Sequence, residues 1–151
     1  MSDLLLTDPQ TVRLEIYGTP RPQGSKTAFV RGGHAVVTEG GSKSGREGHQ
    51  AWRQAVATAA RDWQLAHDRP LLDGPLFLRV DFRLQRPKSI PKSRAFPAVK
   101  PDLDKLIRSV LDSLSGVVIA DDARVVCVEA AKVYAGERAP GASILIREMI
   151  A

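Results

Sequence analysis

Between Pro101 and Gly116 the chain carries Leu103, Leu106, Ile107, Val110, Leu111 and Leu114, apolar residues at steps of three and four with no breaker among them. Only an α-helix gathers such positions on one face, so that face must lie on a core. Pro101 disfavours helical geometry at Lys100 and sets the start, and Gly116 supplies the stop. The remaining elements arrange themselves around this helix. Arg13–Tyr17 alternates like a half-buried strand, and the TPRPQGSK run after Gly18 excludes regular structure. Ala28–Thr38 reads as a hairpin turning at Gly32-Gly33. A polar, glycine-rich run, Gly40–Gly48, reads as a mobile loop. Trp52, Val56, Ala59, Ala60 and Trp63 mark a second helix over about His49–Ala66. Phe77–Leu84 is a strand with Arg79, Asp81 and Arg83 outward, and Pro87–Pro97 is a basic loop broken by prolines. Arg124–Tyr134 and Ser143–Ile150 close the list as strands. The expectation is an α+β fold, a mixed β-sheet with two main helices. It has a frayed leader over residues 1–10 and a single domain over 11–151, with a flexible loop near 39–48.

Charge and cysteine content narrow the class. The 151 residues carry 22 Lys and Arg against 17 Asp and Glu, a net charge of +5. From Arg79 to Lys100 seven bases face the single acid Asp81, so the whole excess sits on one stretch that runs into Asp102 and Asp104. Such a segment suits a polyanionic partner. Arg86, Lys88, Lys92, Arg94 and Lys100 from it, Lys105 just beyond it, and Lys26 and Arg31 around the hairpin are the expected DNA contacts. Arg21, Lys43 and Arg46 could wrap DNA or be solvated loop charges. The lone Cys127 removes a disulfide framework and a cysteine-rich zinc site, reads as a buried thiol, and fits a reducing cytoplasm. No apolar run is long enough to cross a bilayer, so no membrane partner is expected. Gly18–Lys26 lacks the phosphate-loop pattern, so no nucleotide cofactor is expected. His34, His49 and His67 have no ligand spacing, and the two tryptophans read as core or dimer interface.

The chemistry concentrates in the acids. Asp102 and Asp104 flank Leu103 at the helix entry, where the dipole favours negative charge and an aspartate often serves only as a cap. Asp121 and Asp122 follow the turn after Gly116, where a solvated turn is the simpler reading. If the strand from Arg124 packs beside the helix, all four carboxylates are expected at one end. Such a cluster is unfavourable without a cation, and an all-oxygen donor set suits Mg²⁺, with Mn²⁺ as the alternative. Metals so held can activate a water and stabilise the leaving oxygen of a phosphodiester.

The run KPDLDKLIRSVLDSLSGVVIADDARVV resembles the core signature of RusA-type Holliday junction resolvases, small endonucleases typical of phages and prophages. The match consists of D-x-D at the helix start, Asp112 within the helix, the glycine turn, and D-D-x-x-V from Asp121 to Val125. A weaker likeness runs over Tyr17-Gly18-x-Pro20-x-Pro22-x-Gly24-Ser25-Lys26. The resemblance implies a RusA-like fold, a homodimer, and Mg²⁺-dependent paired nicking of four-way junctions in DNA recombination and repair. The setting it implies is the cytoplasm of a bacterium or a phage-infected host. It makes Asp102, Asp104 and Asp122 the metal-binding catalytic acids, with Asp121 beside them as a further metal ligand. The family's lysine, four residues after the second acid, is Arg108 here, one helical turn from Asp104. Arginine keeps the charge but not an easily lost proton. Two rivals stand beside this reading. Asp102, Asp122 and Arg124 faintly follow a PD-(D/E)xK pattern, in which Asp104 is dispensable. Alternatively the chain is a non-catalytic basic DNA-binding or phage accessory protein.

Overall fold

A computed structural model describes residues 10–24, 26–39 and 43–150, without the side chains of 26–29 and 36–39. The leader up to Pro9 lies outside the described residues. The elements run β1 (Val12–Tyr17), β2 (Lys26–Arg31), β3 (His34–Glu39), α1 (Lys43–His67), β4 (Leu76–Leu84), α2 (Leu103–Leu114), β5 (Val125–Tyr134) and β6 (Gly141–Glu148). β2 and β3 pair as a separate hairpin, and the main sheet has the order β1-β6-β4-β5. β6 is antiparallel to both β1 and β4, whereas β5 runs parallel to β4. The sheet is therefore mixed and the fold is α+β, as the sequence implies.

Alternation decides which sheet face is covered. Val12, Leu14 and Ile16 of β1, Ala142, Ile144 and Ile146 of β6, and Leu78, Val80 and Phe82 of β4 join one buried cluster. Onto it pack Trp52, Val56 and Ala60 of α1 and Leu106, Val110 and Leu114 of α2. Each large side chain so buried contributes roughly 1.5–3 kcal/mol. A buried polar contact ties the helices: Ser109 Oγ lies 3.2 Å from His49 Nε2. The hairpin turns through Gly32 and Gly33 at φ 60° and 79°, the left-handed geometry a two-residue turn needs.

Three expectations are corrected. The stretch read as a mobile loop is helical from Lys43 on, with Gly40–Ser42 outside the described residues. A Cβ at Gly48 would come within 3.1 Å of Arg21 Nε, so the Arg21 side chain lies directly over this helical glycine. Arg83 is buried rather than outward, donating to Ala139 O at 3.0 Å and Ser143 Oγ at 2.8 Å. Cys127 is half-buried, because β5 is an edge strand paired with β4 alone.

Candidate active site

Chain direction fixes where the acids stand. β4 ends at Leu84, the basic loop 85–101 follows, and α2 starts beside the carboxyl ends of the two parallel strands. Lys132, near the end of β5, fastens that junction by donating from Nζ to Val99 O at 2.7 Å and Pro101 O at 3.0 Å. Here Asp102 takes the N-cap position without making a side-chain cap hydrogen bond. Its carboxylate is instead 3.7 Å from Lys105 Nζ. Asp104 lies exposed in the first turn. Neither acid is consumed by capping, so the structural reading of Asp102 as a simple cap does not hold.

Asp121 and Asp122 do not return to that end. α2 is only twelve residues long, and the chain reverses at once: Gly116 adopts φ 77° and its N–H donates to Ile119 O at 2.8 Å. The turn is then pinned to the segment before β4, Ala120 N–H donating to Leu72 O at 2.9 Å. Both acids thus stand at the amino ends of the parallel strands. At 1.5 Å per residue, Asp104 and Asp112 are about 12 Å apart along the helix axis, and Asp122 lies near Asp112 rather than beyond it. Among the described residues no three Asp, Glu, His or Cys side chains converge on one point where they could hold a metal.

The second acid group has its own electrostatics. Asp121 accepts from Ala123 N–H at 2.8 Å, capping a short 3-10 turn, and this bond holds its carboxyl below the usual range. Asp122 is pushed up, chiefly by a carboxyl–carboxyl hydrogen bond with Asp121, then by desolvation and the charges of Asp121 and Asp112. In the metal-free protein, Asp121→Asn is expected to bring the Asp122 pKa down toward the ordinary carboxylate range, read by carboxyl-carbon NMR titration. An unchanged value would assign the shift to desolvation and Asp112.

The cations divide in the same way. Arg108 is exposed and pairs with no carboxylate among the described residues, although Asp104 and Asp112 lie one turn away on either side. Lys88, Lys92, Arg94 and Lys100 are exposed on the loop bordering Asp102, and Arg31 is exposed at the hairpin turn. Lys26 falls in β2 with its side chain outside the described residues. Arg86, also among the expected DNA contacts, braces the loop. It donates to Pro91 O and Arg94 O, both at 2.9 Å, and lies 4.3 Å over the Tyr134 ring. Arg124 is tied to Asp73 at 2.9 Å, at the end of the sheet away from Asp102. Within one chain this keeps Arg124, like Asp122, away from Asp102. Sequence reasoning missed Lys132 and Tyr134, because nothing in an alternating strand marks which residue reaches a distant loop.

The chain is thus an α+β protein with two uncapped carboxylates at a helix entry, bordered by a basic loop. The pattern of the family Endodeoxyribonuclease RusA matches residues 15–147, from within β1 almost to the end of β6. The chain belongs to that family of endodeoxyribonucleases. It is also 28% identical over 152 residues to "Uncharacterized protein YqaN" of Bacillus subtilis (strain 168), a match covering 93% of this chain and 98% of that relative. Among the described residues no helix is long and apolar enough to cross a membrane.

Proposed function

We propose that this protein is a divalent-metal-dependent endonuclease that cuts four-way DNA junctions in symmetric pairs, as a homodimer acting in recombination and repair. The observation that carries this reading is the uncapped Asp102 with Asp104 at the start of α2, inside a basic rim. A basic surface presenting free acids repels phosphate unless a cation intervenes, and carboxylate oxygens suit Mg²⁺, with Mn²⁺ as a substitute. One or two carboxylates plus a substrate phosphate suffice for such an ion, so the donor set fits as pairs rather than as a four-acid cluster. Bound there, the ion would supply Lewis-acid activation of water and charge neutralisation at phosphorus.

Asp102 and Asp104 would hold the ion and orient the scissile phosphate. Arg108, one turn further on, would stabilise the negative charge that builds on the phosphoryl oxygens. Lys88, Lys92, Arg94 and Lys100 would hold the flanking backbone. In the hydrolysis water attacks phosphorus and the bond to the 3′ oxygen breaks. That oxygen leaves as a hydroxyl after taking a proton, and the phosphate stays on the 5′ end. Asp121 and Asp122 stand at the far end of α2, so a site that uses them with Asp102 and Asp104 is complete only with a second copy. This supports the dimer, which two symmetric cuts also require.

The test is cleavage of a labelled mobile four-way junction beside the matching linear duplex, with Mg²⁺, Mn²⁺ or EDTA. Metal-dependent paired cuts confined to the junction are expected. Equal cutting of the duplex would make it a general nuclease, and metal-independent binding without cutting would return the non-catalytic DNA-binding reading. In the same assay Arg108→Ala is expected to lower the rate about a hundredfold, and Arg108→Lys to stay within a few-fold of wild type. Equal losses in both variants would show that the guanidinium fork, not the charge, is what matters.

A further inference from the structure

A groove of about 480 Å³ opens beside Asp102, between the segment after β1 and the loop after β4. We propose that it receives one unstacked nucleobase of the bound DNA, which rests on the reading above that the ligand is branched DNA. Its walls are largely apolar and rigid: Pro20, Pro22, Pro87 and Pro97, with Val99 and Tyr134. Prolines fix the backbone, so the cleft is preformed rather than closing on itself. Its rim carries Arg21, Lys100 and Lys105, cations placed to hold the phosphate of a nucleotide whose base lies inside. The cleft is of the size small-molecule sites use.

One detail favours a base over a purely apolar occupant. The Tyr134 ring is held by Arg86, whose guanidinium is fixed by two loop carbonyls. An aromatic wall so braced is a stacking platform in place before the ligand arrives. Unstacking costs least for a base not held in a regular duplex, and Lys100 on the same rim would meet the adjoining phosphate.

The experiment is amide NMR of the full chain, titrated with each deoxynucleoside 5′-monophosphate and, in parallel, with 2-deoxyribose 5-phosphate. Saturable shifts at Gln85, Val99, Lys100 and Tyr134 are expected with at least one nucleotide and absent with the baseless sugar phosphate. Val99→Trp, which fills the cleft from a residue 51% exposed, is expected to weaken that binding about tenfold. Tyr134→Leu replaces the aromatic wall with an aliphatic one and, with amide shifts away from the cleft unchanged, is expected to bind several-fold less tightly. Identical shifts with the sugar phosphate, no shifts at all, or undiminished binding by both variants would overturn the proposal. The readout is separate from cleavage. Shifts without junction cutting would keep the base site and sink the resolvase reading, and cutting without shifts would do the reverse.

Discussion

Asp102→Asn is expected to lower junction cleavage about a thousandfold while leaving junction affinity unchanged or higher. The substitution keeps the shape of the side chain and removes one charge. Loss of several kcal/mol of metal-centred stabilisation corresponds to about three powers of ten in rate. Binding behaves differently because the lost carboxylate repels DNA phosphate, and Lys105, 3.7 Å away, is released to the backbone. Within the chain Asp102 makes no cap bond, so the fold has little to lose. The placement of the acids adds a second result. If Asp102 of one copy works with Asp122 of the other, neither Asp102→Asn nor Asp122→Asn cuts alone. Mixed and re-annealed, the two variants are expected to form about half mixed dimers, each with one intact site. These would nick one strand without making the paired cut. Denaturing gels of a labelled junction distinguish nicks from resolution. No activity in the mixture would place both acids of a site in the same chain. Full cutting by Asp102→Asn alone would remove Asp102 from catalysis.

The sequence made the helix carrying Asp102 and Asp104 legible almost to the residue. Its apolar spacing, Pro101 and Gly116 are local signals, and α2 spans Leu103–Leu114. The hairpin at Gly32-Gly33 and all four strands of the main sheet were legible for the same reason, since alternation and turn chemistry are read within a few residues. What could not be read depends on partners far along the chain. Arg83 looks like an outward charge in FLRVDFRL, yet Glu15 and Ser143, supplied by β1 and β6, make its burial possible. The start of α1 at Lys43 lies within a run whose glycines and polar residues carry no helical signal. At the site, the residue types were legible but their assembly was not. D-x-D and D-D suggest one cluster only if the chain reverses far from α2. A reversal directly at Gly116, pinned by Leu72, leaves the pairs at opposite ends of the helix.

Gly141→Ala is expected to destabilise the protein by about 3 kcal/mol or more. Gly141 begins β6 and pairs with Tyr17 on one side and Arg83 on the other. A methyl group there would occupy the space of the Ile16 carbonyl oxygen and come within 3.0 Å of Arg83 Nη2. Ile16 O is backbone of the paired β1–β6 ladder, so relief requires parting that end of β1 from β6. The alternative is displacing the Arg83 guanidinium, which would leave a buried charge without Ala139 O, Ser143 Oγ and the Glu15 carboxylate 3.5 Å away. Either route is costly, because unpaired buried charge and broken ladder bonds both go uncompensated. For a chain of this size the loss corresponds to a fall in Tm of about 9 °C, measured by circular dichroism. Gly136→Ala is the internal control. It meets nothing within 4 Å and is expected to stay within about 0.5 kcal/mol of wild type. A Gly141→Ala protein as stable as the control would mean that β1 and β6 can separate at no cost. Since β6 also supports β4, whose end launches the basic loop toward Asp102, such slack would undo the case for a site held rigidly by the sheet.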